Sequence, residues 1–166
     1  MESDLPDLGP RKTLAKNLAQ RLVKDVGISE APVSLQRIIE HVQTTRPLDV
    51  HRIDAGQKVS GLLVVVRKVD AEYATIGFNG NHSWYRRRFT IAHEIGHLLL
   101  GHTCTGNQND GSYNEKEAHL FAGELLIPTA LIKKDFKKLH DLKALSKLYR
   151  MSESALTMKL MEARLV

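Results

Sequence analysis

His93 and His97 stand four residues apart, with Glu94 directly after the first of them. On a helix this spacing sends both imidazoles from one face, about one turn apart, so that they can share one ion. Two neutral imidazoles are a zinc-binding pair, zinc brings the pKa of water to about 7, and a neighbouring carboxylate can accept the proton. The run His93-Glu94-Ile95-Gly96-His97 therefore encodes the parts of metal-assisted hydrolysis, with Glu94 as general base. The competing reading is a helix bearing two solvated histidines and a surface glutamate, and a third ligand would weigh against it.

The metzincin arrangement would place that ligand at position 103, which is Thr103. His102 is one residue off and falls on the apolar side of the helix, where satisfied packing is its expected role. Asn114 to Ala122 offers two carboxylates on a second helix. Glu115 shares a stripe with Ala118, His119 and Ala122, and the two alanines allow close approach to the metal helix. Glu117 lines up instead with Phe121 and Glu124. Glu115 is thus the expected third ligand, with Glu117 in reserve. His119 is expected to hydrogen-bond a ligand or to lie on the surface. Tyr113, His82 and His119 are the candidates for stabilising an oxyanion.

The elements that must position these groups follow from periodicity. Ile91, Ile95, Leu98, Leu99 and His102 recur at helical spacing opposite the histidines and would bury that helix against a core. Upstream, Leu14, Leu18, Leu22 and Val26 mark a helix ending before Gly27, and Ser34 caps a second one through Leu35, Ile38, Ile39 and Val42. Val50 to Ile53, Gly61 to Arg67 and Glu72 to Phe78 read as strands of a small antiparallel sheet. Helices are expected near 84–102, 114–127, 129–138, 141–149 and 152–163, with Thr105 to Tyr113 an exposed loop. Helices, then a sheet, then helices make the class α+β, a small sheet packed on the metal-site helix.

The 166 residues can bury one core, and we divide them as a zincin-like domain over 1–130 and a basic helical subdomain over 131–166 packed on it. The net charge of +5 lies wholly in residues 131–166, which hold nine Lys and Arg against four Asp and Glu. No apolar run reaches the roughly 20 residues of a bilayer crossing, and Met1 to Pro10 is unlike a signal peptide, so the expectation is a cytoplasmic protein. Cys104, the single cysteine, suits a reducing compartment and reads as a bystander.

Through Arg87-Arg88-Phe89-Thr90-Ile91-Ala92-His93-Glu94-Ile95-Gly96-His97, and then Glu115, Ala118, Phe121, Ala122, Glu124, Leu125, Leu126 and Pro128, the chain resembles the ImmA/IrrE family of metallopeptidases. The resemblance extends loosely over the helix beginning at Pro32-Val33, the strand after Ser60-Gly61, and Ile76 to Asn79. It implies a gluzincin-like zinc peptidase that cleaves a DNA-binding repressor. It also implies His93, His97 and Glu115 as zinc ligands and Glu94 as the catalytic acid. His119 stands where the family commonly has Asn.

Leu145 to Ser152, followed by Ala155, Leu156, Leu160 and Met161, looks like a helix-turn-helix, although Arg150 occupies the position of the usual turn glycine. DNA binding, docking of a partner repressor and a solvated cap on the core compete for this region. Lys133, Lys134, Lys137 and Lys138 would make any phosphate contact salt-dependent, and the same charge suits an acidic protein partner. Arg86-Arg87-Arg88 is read as structural or as a substrate clamp rather than a nucleic-acid patch. The reading as a whole is a zinc endopeptidase acting on an extended protein segment. Its rival is a helix-turn-helix DNA- or protein-binding regulator with a non-catalytic metal site.

Overall fold

The computed structural model describes residues 9–102 and 108–166. Its elements are α1 (Lys12–Asp25), α2 (Leu35–Gln43), β1 (Leu48–Ile53), β2 (Gly61–Arg67), β3 (Glu72–Asn79), α3 (Trp84–Leu100), α4 (Gln108–Leu126), α5 (Thr129–Leu139), α6 (Leu142–Tyr149) and α7 (Glu153–Glu162). The class is α+β. Residues 103–107, with Thr103 and Cys104, and residues 1–8 lie outside the described part, so the expectations for them stay untouched. Residues 108–113, expected in a loop, form the first turns of α4. Periodicity missed them because Gln108 to Gly111 is polar and contains glycine, so no apolar stripe marks the start.

The sheet is mixed, not antiparallel. Its order is β1-β3-β2, with β1 parallel to β3 (Val50 opposite Ile76) and β2 antiparallel to β3 (Leu63 opposite Ile76). Strand patterns record which residues alternate, not which neighbour each edge takes. Here the segment between β1 and β2 spans the width of β3, so the last strand slots between the first two. Asn79, fully buried at the end of β3, holds that segment: its amide donates to the carbonyls of Ala55, Gly56 and Val59 at 3.0, 3.1 and 2.8 Å.

Side chains cap the starts of α2, α3 and α7, whereas α1 and α5 begin without one. Ser34 Oγ accepts from the Arg37 amide at α2, Ser83 Oγ from Arg86 at α3, and Ser152 Oγ from Ala155 at α7. One core runs from α1 (Ala15, Ala19) through α2 (Ile38), β3 (Ile76) and α3 (Ile95) to α4 (Phe121, Leu125), α6 (Leu145) and α7 (Leu156, Leu160). Between α6 and α7 the chain turns at Arg150, in the left-handed region at φ 54°. Its guanidinium lies 5.7 Å from the Trp84 ring. The conformation that a glycine would adopt freely is thus carried by an arginine whose side chain reaches back to α3.

The joint between α7 and the rest is ionic and dry. Lys159, 5% exposed, pairs with Glu124 of α4, 1% exposed. The same carboxylate also accepts from the Thr129 amide at 3.0 Å, the Thr129 hydroxyl at 2.7 Å and Gln20 at 3.0 Å. Burial raises the Glu124 pKa, but the Lys159 and Thr129 contacts outweigh it and bring the net shift downward. Breaking a buried pair leaves an uncompensated charge. Lys159→Met should therefore lower the unfolding free energy by about 3 kcal/mol, with urea denaturation as the measurement. A stability equal to that of the unmodified chain would mean that Glu124 needs no counter-charge.

Candidate metal centre

Helix α3 turns a small-residue face toward α4. A Cβ at Gly96 would stand 2.9 Å from Phe121 Cδ1 and 3.3 Å from the Ala118 Cα, closer than packed atoms tolerate. The two helices therefore meet where Gly96, Ala118 and Ala122 leave room. That close approach carries the exposed Glu115, about two turns into α4, over the histidines of α3.

His93 Nε2 and His97 Nε2 are 3.1 Å apart, and the two oxygens of Glu115 lie 3.1 Å from one and 3.1 Å from the other. Donor atoms around a tetrahedral zinc ion, with bonds near 2.0–2.1 Å, sit about 3.3 Å from each other. The triangle thus has the size and the donor chemistry, two imidazole nitrogens and a carboxylate, of a zinc site. Among the described residues, His93, His97 and Glu115 are the group that could hold a metal ion. Burial pushes the His93 pKa down, and burial together with the neighbouring His93 pushes that of His97 down to about 4. Both rings are therefore neutral near pH 7, with lone pairs to offer.

Glu94 leaves the same helix into a cavity of about 390 Å³ lined also by Lys58, Ser60, Gly61, Thr90 and Glu115. Burial, and then the charge of Glu115, raises its pKa to about 7. Over it passes the start of β2. A Cβ at Gly61 would fall 2.4 Å from the Thr90 methyl and 2.8 Å from the Gly77 carbonyl oxygen, so only glycine lets the strand lie this close to α3 and β3, with Glu94 Oε1 at an ordinary contact distance of 3.4 Å from the same point. Arg86 pins the same spot by donating to Ser60 Oγ at 2.8 Å.

The profile of the IrrE N-terminal-like domain, a peptidase family, matches residues 45–161. The chain belongs to the ImmA/IrrE family. The match runs from just before β1 almost to the end of α7 and so contains every residue of the centre described above. Among solved structures, the fold is similar to that of a Mycobacterium tuberculosis transcriptional regulator, with a TM-score of 0.65 and 15% identity, over 89% of this chain and 46% of that one. The chain thus spans less than half the length of that protein. No curated protein matches it.

Other residues singled out in this ImmA/IrrE chain take distinct places. Glu117 turns away from the metal triangle: it is bound by Arg11 at 2.7 Å and by His102 at 2.9 Å. Burial would raise its pKa, but the hydrogen bonds from Arg11 and His102 hold it down at about 2. His102 is buried and satisfied, as expected, but one of its partners is His97, 2.8 Å away. His119 is exposed, with its ring centroid 4.9 Å from that of Phe89. His82 makes its Nε2 contact with the Gln57 carbonyl at 3.0 Å. Arg88 is structural: it donates to the Val33 carbonyl at 2.9 Å, and burial followed by Arg150 lowers its pKa to about 10. Arg86 alone of the three arginines lines the cavity. Arg11 and Asn79 were missed by the sequence reading, since a lone polar residue at an element's edge carries no periodic signal.

The Gly96 contact gives a paired test. Gly96→Ala should cost about 1–3 kcal/mol by overpacking and should push Glu115 away from the histidines. Gly123→Ala, on the same helix pair but with open space at its Cβ, should be neutral or stabilise by up to about 1 kcal/mol. Thermal melts of both variants decide it, and equal effects would remove close packing as the cause.

Proposed function

We propose that this chain is a zinc-dependent endopeptidase that hydrolyses a peptide bond in a protein substrate, a partner DNA-binding transcriptional repressor of helix-turn-helix type. The observation that carries the reading is the convergence of His93, His97 and Glu115 on one point beside Glu94. His93 Nε2, His97 Nε2 and a Glu115 oxygen would hold the metal. Bound there, zinc would supply Lewis acidity toward the scissile carbonyl and toward water.

The chain's own residues do the rest. Glu94, whose pKa is already poised by burial, takes the proton of the attacking water and later delivers it to the leaving amine. The start of β2 runs along the cavity beside Glu94, and as an edge strand it offers backbone to a substrate in extended form. Beside this cavity a larger, mainly apolar groove of about 740 Å³ shares Arg86 and Phe89 with it and is lined further by Tyr85, Leu120 and Met158. Such a groove supports a protein substrate, which needs contacts beyond the bond that is cut. A repressor substrate places the enzyme in the cytoplasm, and no helix among the described residues is long and apolar enough to cross a membrane.

The rival reading, a helix-turn-helix regulator with a non-catalytic metal site, leans on α6 and α7. A helix read into the major groove presents cations and amides to base edges. The exposed positions of α7 are instead Glu153, Ser154, Met158, Met161 and Glu162, while Lys159 is buried. An adaptable methionine face suits a protein partner better than DNA.

Purified protein is expected to hold about one zinc per chain. Glu115→Ala should lose it, and Glu94→Gln should retain it while losing about 10²- to 10⁴-fold in hydrolysis of the co-expressed repressor. Metal analysis and gel-based cleavage read the two properties separately. Zinc retained with no hydrolysis by the unmodified chain, together with salt-dependent DNA affinity, would favour the regulator instead.

A further inference from the structure

Beyond His97 a line of polar side chains continues to the first helix, and none of them takes part in the reaction as described. His97 Nδ1 lies 2.8 Å from His102 Nδ1, and His102 Nε2 lies 2.9 Å from Glu117 Oε2. Glu117 in turn accepts from the Arg11 backbone amide at 2.6 Å and from its guanidinium at 2.7 Å. The side chains of His102 and Glu117 are only 4% and 3% exposed, so water does not compete for these contacts.

The proton positions follow from what each atom can do. Glu117, ionised beside Arg11, can only accept, so His102 donates from Nε2. In a neutral imidazole the other nitrogen then carries the lone pair, and His102 Nδ1 accepts the Nδ1–H of His97. The lone pair of His97 is left on Nε2, the atom that faces His93 and Glu115. The other His97 tautomer would set two acceptors against each other at 2.8 Å. It would also put a proton where the metal site needs a lone pair. Among the described residues His93 has no equivalent support, since its Nδ1 is buried without a hydrogen-bond partner there.

We propose that Arg11, Glu117 and His102 form a positioning chain that fixes His97 as its Nδ1–H tautomer and aims Nε2 at the metal site. His97 is then the preorganised ligand, and Glu117 governs metal affinity without touching the ion. The inference rests on the metal-site reading above. Outer partners of this kind change metal affinity by about 10- to 100-fold.

The test uses the full chain with ¹⁵N-labelled histidine, in the metal-free and the zinc-loaded form, and chelator competition for zinc affinity. In both forms His97 should carry its proton on Nδ1. His102→Leu keeps bulk but can neither accept nor donate, so zinc affinity should fall about 10- to 100-fold and metal-free His97 should populate both tautomers. His102→Gln offers an amide oxygen to His97 and an N–H to Glu117, and it should recover most of the lost affinity. Should His102→Leu fail to fold, the Gln variant and the wild-type tautomer still carry the test. Wild-type zinc affinity in a folded His102→Leu variant, or metal-free His97 protonated on Nε2, would overturn the proposal. A wild-type chain that takes up no zinc would instead overturn the metal-site reading, while the metal-free tautomer would still judge the hydrogen-bonded chain.

Discussion

The centre depends on one steric constraint: α3 and α4 touch at Gly96 and Ala118, where a single added methyl group would meet Phe121 at 2.9 Å. The zinc-sized triangle is built from two residues of one helix and one of the other, so its dimensions are those of the helix contact. Packed interiors do not absorb ångström-scale changes without cost. The small residues are therefore as much a part of the site as the donors they bring together. On the other side, the start of β2 lies against α3 by the same means, since a methyl group at Gly61 would meet the Thr90 side chain at 2.4 Å and the Gly77 carbonyl at 2.8 Å.

Helix α4 shows how environment divides the work among chemically identical groups. Glu115 is exposed and faces two neutral imidazoles. Glu117 is sealed between Arg11 and His102, and Glu124 between Lys159 and Thr129. Burying a carboxylate is tolerable only where donors replace the water that it gives up. Two of the three acids therefore tie α1 and α7 to the helix that bears the third. The supports of the centre reach outward in this way to the first and last helices of the described chain.

The basic region over residues 131–166 is not one uniform charged surface. Its excess sits on α5 and α6, where Lys133, Lys134, Lys138, Lys143 and Lys147 are exposed, whereas the lysine of α7 faces inward to Glu124. What α7 leaves to solvent is Met158 and Met161 together with Glu153, Ser154 and Glu162. The exposed lysines and the exposed methionines thus lie on different helices.

The sequence by itself determined most of the elements and the group of side chains that meet at the centre. Apolar periodicity located the helix cores among the described residues, the caps Ser34 and Ser152 stand where polar residues precede those runs, and the four-residue spacing of His93 and His97 put both rings on one face. The alanine stripe also placed Glu115 and Glu117 on different faces of α4, because residues on one helix share a face according to their spacing alone. Only the tertiary structure decided the strand order, the link from Asn79 to the segment above Glu94, and the line from Arg11 through Glu117 and His102 to His97. These join residues up to 106 positions apart, as Arg11 and Glu117 are. Local periodicity reports which way a side chain points, whereas what it meets there is set by the packing of elements that the chain brings together only when it folds.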